Sequence, residues 1–154
     1  MIRSLAVCYN KTTNRAFDKM ASESGQNTTG KNLLQRNIVD VEAKLKETLL
    51  MRDDIAFAFL FGSYARGERT RFSDLDIALF FSGTVDFYKT YDLREDLSEM
   101  LGIEVDIVVL NTASPVIKMQ ILSKGVLLLD KDRRAYNEFF VKTVKEYDDL
   151  KSNR

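Results

Sequence analysis

Two short apolar runs, AFAFLF at residues 56–61 and IALFF at 77–81, restrict the fold more than any other feature of the chain. Each is too short for a buried helix and is bounded by Gly, Asp and Arg, so each predicts a buried strand. Further runs at 103–110 and 126–129 predict a third and a fourth. Helical patterns separate them. Leu34, Ile38, Val41, Leu45 and Leu49 recur at helical spacing ahead of the first strand. Thr84 is placed to cap a helix that runs to Leu101, with Gly102 ending it. Ser114 before Pro115 starts another helix, closed by Gly125. Asp130 or Asp132 starts the last, which carries Tyr136, Phe140, Val144 and Tyr147 on one face. The strands are 74–81, 103–110 and 126–129 after the first, and a helical turn is expected near 64–68. The result is an α/β (α+β) domain, a small mixed sheet of about four strands flanked by helices.

The chain's 154 residues suit one domain. Residues 32–154 are expected to form it. Residues 1–31 differ: ASESGQNTTGK at 21–31 reads as a loop or linker, and the part before it as an arm that packs weakly or meets a partner. Lys+Arg and Asp+Glu both number 23, which argues against extended nucleic acid as a direct partner. Cys8 is the single cysteine and no apolar run reaches a membrane span, so a reducing, cytoplasmic setting with no membrane contact is expected. The chain has no His, which removes His metal ligands and every His-based catalytic triad or dyad. Chemistry must then come from carboxylates, hydroxyls, Lys, Arg and an oxygen-bound metal.

Between the first two strands lies GSYARGERTRFSDLD, residues 62–76. Side chains two apart on a strand share a face, with Cα atoms about 6.5–7 Å apart. Asp74 and Asp76 therefore point the same way, with Leu75 and Ile77 on the other face. Carboxylates so close must share a proton, pair with Arg or Lys, or bind a hard divalent cation. Asp106, in EVDIVVL, repeats the exception on another apolar strand. Three Asp on neighbouring strands suit Mg²⁺, which takes oxygen ligands and keeps positions for water and phosphate. The plainer alternative is turn chemistry at Ser73-Asp74, with Arg66, Arg69 and Arg71 neutralising the charge. Gly62 lets the backbone approach a ligand, and the N–H groups of a turn starting at Ser63 or Tyr64 suit phosphate. Its plain alternative is a strand-to-helix turn with Ser as cap. Combined, the parts predict a triphosphate on Gly62-Ser63, a metal on Asp74 and Asp76, and Asp106 either completing a two-metal site or helping to deprotonate the attacking hydroxyl. Attack at the α-phosphate would release pyrophosphate.

Gly62-Ser63, ten intervening residues and then Asp74-Leu75-Asp76 resemble the signature of the DNA polymerase beta-like nucleotidyltransferases. The longer run LFGSYARGERTRFSDLDIALF, with Asp106 and the ending ILSKGVLLLDKD, looks like the minimal nucleotidyltransferase (MNT) proteins over about residues 32–150. That resemblance implies a polymerase beta-like nucleotidyltransferase fold and an antitoxin partnered with a small helical HEPN ribonuclease toxin. It implies transfer of AMP from ATP to a toxin tyrosine. By position, Gly62 and Ser63 would bind triphosphate, Asp74 and Asp76 would hold Mg²⁺, Asp106 would be the third carboxylate, and Arg66 would contact phosphate or a carboxylate.

Two further readings compete. One is a binding-only antitoxin that masks the toxin. The other is a nucleotidyltransferase for a small molecule of the aminoglycoside type, with a second protomer of a homo-oligomer completing the site. Tyr88, Tyr91, Tyr136 and Tyr147 are expected to pack on helix faces, while Tyr64, in the site loop, is a candidate contact. Lys124 and Lys131 are expected at the solvated surface.

Overall fold

The computed structural model describes residues 29–68 and 73–153. The chain divides into two units, residues 1–43 and 44–154. In the first, residues 29–43 are described and all are helical. The expected arm, with Cys8 and most of the linker, lies outside the described residues. Thr29, Gly30 and Lys31, expected to end that linker, instead begin helix α1, Thr29–Leu50.

The second unit holds the end of α1 and everything after it. In order these are β1 (Ile55–Phe61), α2 (Ser63–Arg66), β2 (Leu75–Phe81), α3 (Phe87–Leu101), β3 (Val105–Val109), α4 (Pro115–Lys124), β4 (Val126–Asp130) and α5 (Arg133–Ser152). This is the expected order, with β3 shorter than its apolar run. The α3 cap is Asp86, not Thr84. Its carboxylate accepts from the Tyr88 N–H at 2.9 Å and the Lys89 N–H at 3.3 Å, and a negative charge at a helix start also suits the helix dipole. Gly102 ends α3 in the left-handed region, φ 66°. Ser114 caps α4 as expected, with Pro115 in its first turn. Asp132 caps α5 by accepting from Ala135 N–H at 3.0 Å. Asp130 stays in β4 and pairs with Arg133 at 2.9 Å.

The four strands form one sheet in the order β3-β2-β1-β4. β1 runs antiparallel to β2 and β4, and β2 runs parallel to β3. A parallel neighbour needs a crossover, and α3 supplies it. Phe57 and Phe59 are fully buried with Ile121, Leu122, Tyr136 and Phe139 in one cluster. Phe57 stacks on Phe80 with centroids 4.7 Å apart and lies 5.3 Å from Phe139. Each such ring contributes roughly 1.5–3 kcal/mol on burial. Leu45, Leu49, Leu93 and Leu97 are buried from α1 and α3.

The tyrosines divide differently from expectation. Tyr136 packs and Tyr147 is half-buried beneath Lys151. Tyr88 and Tyr91 are 86% and 57% exposed, because α3 turns Leu93 and Leu97 inward instead. Tyr64 is only 7% exposed, so it anchors the site loop rather than offering a contact. Lys131 is not simply solvated: its ammonium donates to the backbone carbonyls of Leu50 and Arg52, tying the end of α1 to β4. Among the described residues no helix is long and apolar enough to cross a membrane.

Candidate active site

The site forms where β1 ends and β2 and β3 begin. Phe61, the last residue of β1, is the register partner of Asp76. Gly62 follows at φ 72° and ψ −149°, a conformation that L side chains rarely adopt. A Cβ there would lie 3.2 Å from Asp76 Cγ and would clash with Asp76 Oδ2. Glycine is thus required twice, by its own backbone and by the carboxylate against it.

Helix α2 starts directly after this glycine. Gly62 is its cap, with no side-chain cap bond, so Ser63 is the first helical residue and not the cap. The turn is closed by Arg66 N–H to the Gly62 carbonyl at 3.2 Å and Glu68 N–H to the Ser63 carbonyl at 3.1 Å. In a helical turn the first N–H groups point out of the N-terminal end. The buried Tyr64 ring holds it to the body.

On β2, Leu75 and Ile77 are fully buried and Asp76 is half-buried between them, which is the expected alternation. Asp74 is exposed just before the strand. Asp106 is half-buried on β3 and is the register partner of Asp76. Neighbouring strands lie about 4.8 Å apart, so the two carboxylates share a small space. The Asp76 carboxyl is held above the usual carboxylate range, chiefly by burial, then by the charges of Asp106 and Asp74, with Arg66 pulling the other way. Asp76 and Asp106 are therefore neighbours across the β2–β3 pair, and the charge of Asp74, just before β2, also reaches Asp76.

Arg66 does not neutralise them by contact. Arg66 pairs with Glu68 at 3.0 Å, and both are exposed. Arg69 and Arg71 lie outside the described residues. Among the described residues no Lys or Arg forms an ion pair with any of the three Asp. Nor is any group of three or more His, Cys, Asp or Glu there arranged to hold a metal by itself. Mg²⁺ does not require one, since it takes one or two carboxylates and completes its shell with water and phosphate oxygens. A half-buried carboxylate that resists ionisation beside a second carboxylate is a donor set such a cation fits.

One neighbour was missed in the sequence. Ser98 on α3 accepts from the Val105 N–H at 3.1 Å, next to Asp106, and donates to the Arg94 carbonyl at 2.8 Å. No local motif marks it, because only the crossover brings α3 against the start of β3.

A Gly-Ser turn packed on paired strand carboxylates is the arrangement of a nucleotidyl-transferring site. Residues 43–134 match the family described as Polymerase beta, Nucleotidyltransferase, and the chain belongs to that family. More particularly, it is similar to the protein adenylyltransferase MntA of Shewanella oneidensis, 36% identical over 109 residues that cover 68% of this chain and 77% of that protein. Among solved structures it resembles a toxin–antitoxin complex with AMP-PNP, with TM-score 0.66 and 33% identity, covering 73% of this chain and 91% of the other. It also resembles a chain from tri-AMPylated Shewanella oneidensis HEPN toxin in complex with MNT antitoxin, with TM-score 0.62 and 29% identity, covering 76% and 92%.

Proposed function

We propose that this protein is an antitoxin that transfers AMP from ATP to a tyrosine of a HEPN-type toxin and so neutralises it. The observation that carries this reading is the register pairing of Asp76 with Asp106, with Gly62 packed against the Asp76 carboxylate. The likeness to MntA and to the AMPylated toxin complex supports the acceptor.

In this reading the Gly62-Ser63 turn receives the triphosphate on its backbone N–H groups and the Ser63 hydroxyl. Asp74 and Asp76 would hold Mg²⁺, with Asp106 as third carboxylate. Bound there, the ion neutralises charge on the phosphate oxygens. In this reading Asp106 accepts the proton of the attacking tyrosine hydroxyl. The hydroxyl oxygen bonds to the α-phosphorus, the bond to the β-phosphate oxygen breaks, and pyrophosphate leaves. Arg66, exposed and paired with Glu68 among the described residues, turns to phosphate in this reading. In this reading the reaction takes place in the cytoplasm.

A masking role by complex formation has its own support in the exposed Phe87, Tyr88 and Tyr91 on α3, an apolar surface suited to a protein partner. Incubation with the toxin, ATP and Mg²⁺ followed by intact mass separates the two. A toxin gain of one or more AMP units supports transfer. A stable complex without mass change supports masking and overturns the enzymatic reading.

A further inference from the structure

Among the described residues β3 is an edge strand, paired in the sheet with β2 alone. It carries Asp106, so one of the three carboxylates stands on the least supported strand of the site. Edge strands have a row of backbone groups without a ladder partner. On the β2 side, the start of β3 is held by the Leu75 N–H, which donates to the Glu104 carbonyl at 2.8 Å. Val105 is fully buried, so water does not serve its N–H. That N–H donates to Ser98 Oγ at 3.1 Å. The Ser98 hydroxyl in turn donates to the Arg94 carbonyl at 2.8 Å, one turn back on α3. This second bond fixes the direction of the hydroxyl, so its lone pair faces Val105.

We propose that Ser98 is a positioning residue for nucleotidyl transfer, acting through Asp106. The inference rests on the functional reading above. Ser98 holds the backbone one residue before Asp106 from the side opposite β2. With both sides tied, Asp106 keeps its place across from Asp76. Without the hydroxyl, a buried N–H is left unpaired. The start of β3 then relaxes toward solvent and the Asp106 carboxylate moves from its partner. Residues that orient a metal-binding carboxylate typically change metal affinity or activity by roughly 10–100-fold when replaced.

The test compares full-length wild type, Ser98→Ala, Ser98→Thr, Asp106→Asn and the Ser98→Ala/Asp106→Asn pair in AMP transfer to the toxin. In Ser98→Ala, kcat is expected to fall roughly 10–100-fold. The Mg²⁺ concentration for half-maximal rate should rise while KM for ATP changes little. Ser98→Thr keeps the hydroxyl and should restore most of the rate. In the Asp106→Asn background, Ser98→Ala should add little, because both act on one carboxylate. Should Ser98→Ala fail to fold, the same cycle with Ser98→Cys, close in size and a weaker acceptor, replaces it. Wild-type rate and Mg²⁺ dependence in Ser98→Ala, or full additivity in the cycle, would overturn the proposal. An inactive wild type would instead refute the transfer reading itself, a distinct outcome.

Discussion

Asp76 and Asp106 face each other as register partners on parallel strands, and the backbone of Gly62 closes against the first of them. The two carboxylates come from segments thirty positions apart. Their pairing is what makes this end of the sheet a candidate site.

Removing the paired charge should remove the chemistry and leave the fold. Asp74→Ala with Asp76→Ala is expected to lower AMP transfer by roughly 100-fold or more, the scale lost with an electrostatic stabiliser. Neither side chain belongs to the buried core, so the circular dichroism spectrum should match wild type. Full transfer of labelled AMP by this variant would refute the assigned roles.

Gly62→Ala tests the close approach. The added methyl meets Asp76 and sits at φ 72°. A cost of about 1–3 kcal/mol in stability is expected from backbone strain, together with a displaced Asp76 and a drop in kcat. Thermal denaturation and turnover measured on one sample check both. A variant with unchanged melting temperature would show that the loop yields more easily than this geometry indicates.

The raised Asp76 pKa makes a pH prediction. The folded chain holds this proton to higher pH than the unfolded chain does, because burial and then the charges of Asp106 and Asp74 oppose ionisation. Its favourable contribution is complete below the unfolded pKa and is lost as pH rises through the folded one. Asp76→Asn removes that loss. In EDTA and without ATP the variant should melt higher than wild type at neutral pH, and the gap should close in acid. A gap that widened in acid would reverse the sign argued here.

Away from the site, Lys118 is a buried cation. Its side chain is 10% exposed, 3.3 Å from Glu146 and 5.8 Å from the Phe139 ring. Glu146→Gln should destabilise by about 1–2 kcal/mol, less than a fully buried pair because Glu146 still touches water. Lys118→Met, which keeps the packing and removes the charge, should cost less than about 1.5 kcal/mol. Urea denaturation measures both, and AMP transfer should be unaffected.

Much of this was legible in the chain. Short apolar runs announced the strands, Ser114-Pro115 announced α4, and the Gly-Ser and Asp-x-Asp pair marked the candidate site. These signals are local, carried by residues within a turn or two of each other. Thr84 failed as a cap for the same kind of reason: Asp86, two residues on, offers a charged acceptor in better position. The exposure of Tyr88 and Tyr91 was not legible, since helical spacing alone does not say which face meets the sheet.

By itself, the sequence determined the order of elements, the glycine turn and the alternation that puts Asp76 opposite in facing to Leu75 and Ile77. It did so because backbone propensity and side-chain alternation act between near neighbours. Only the tertiary structure decided that β2 pairs in parallel with β3, that Asp106 meets Asp76, and that Ser98 reaches Val105. Those are choices of register and packing between distant segments. They depend on which surfaces bury together, and no local stretch of the chain encodes that.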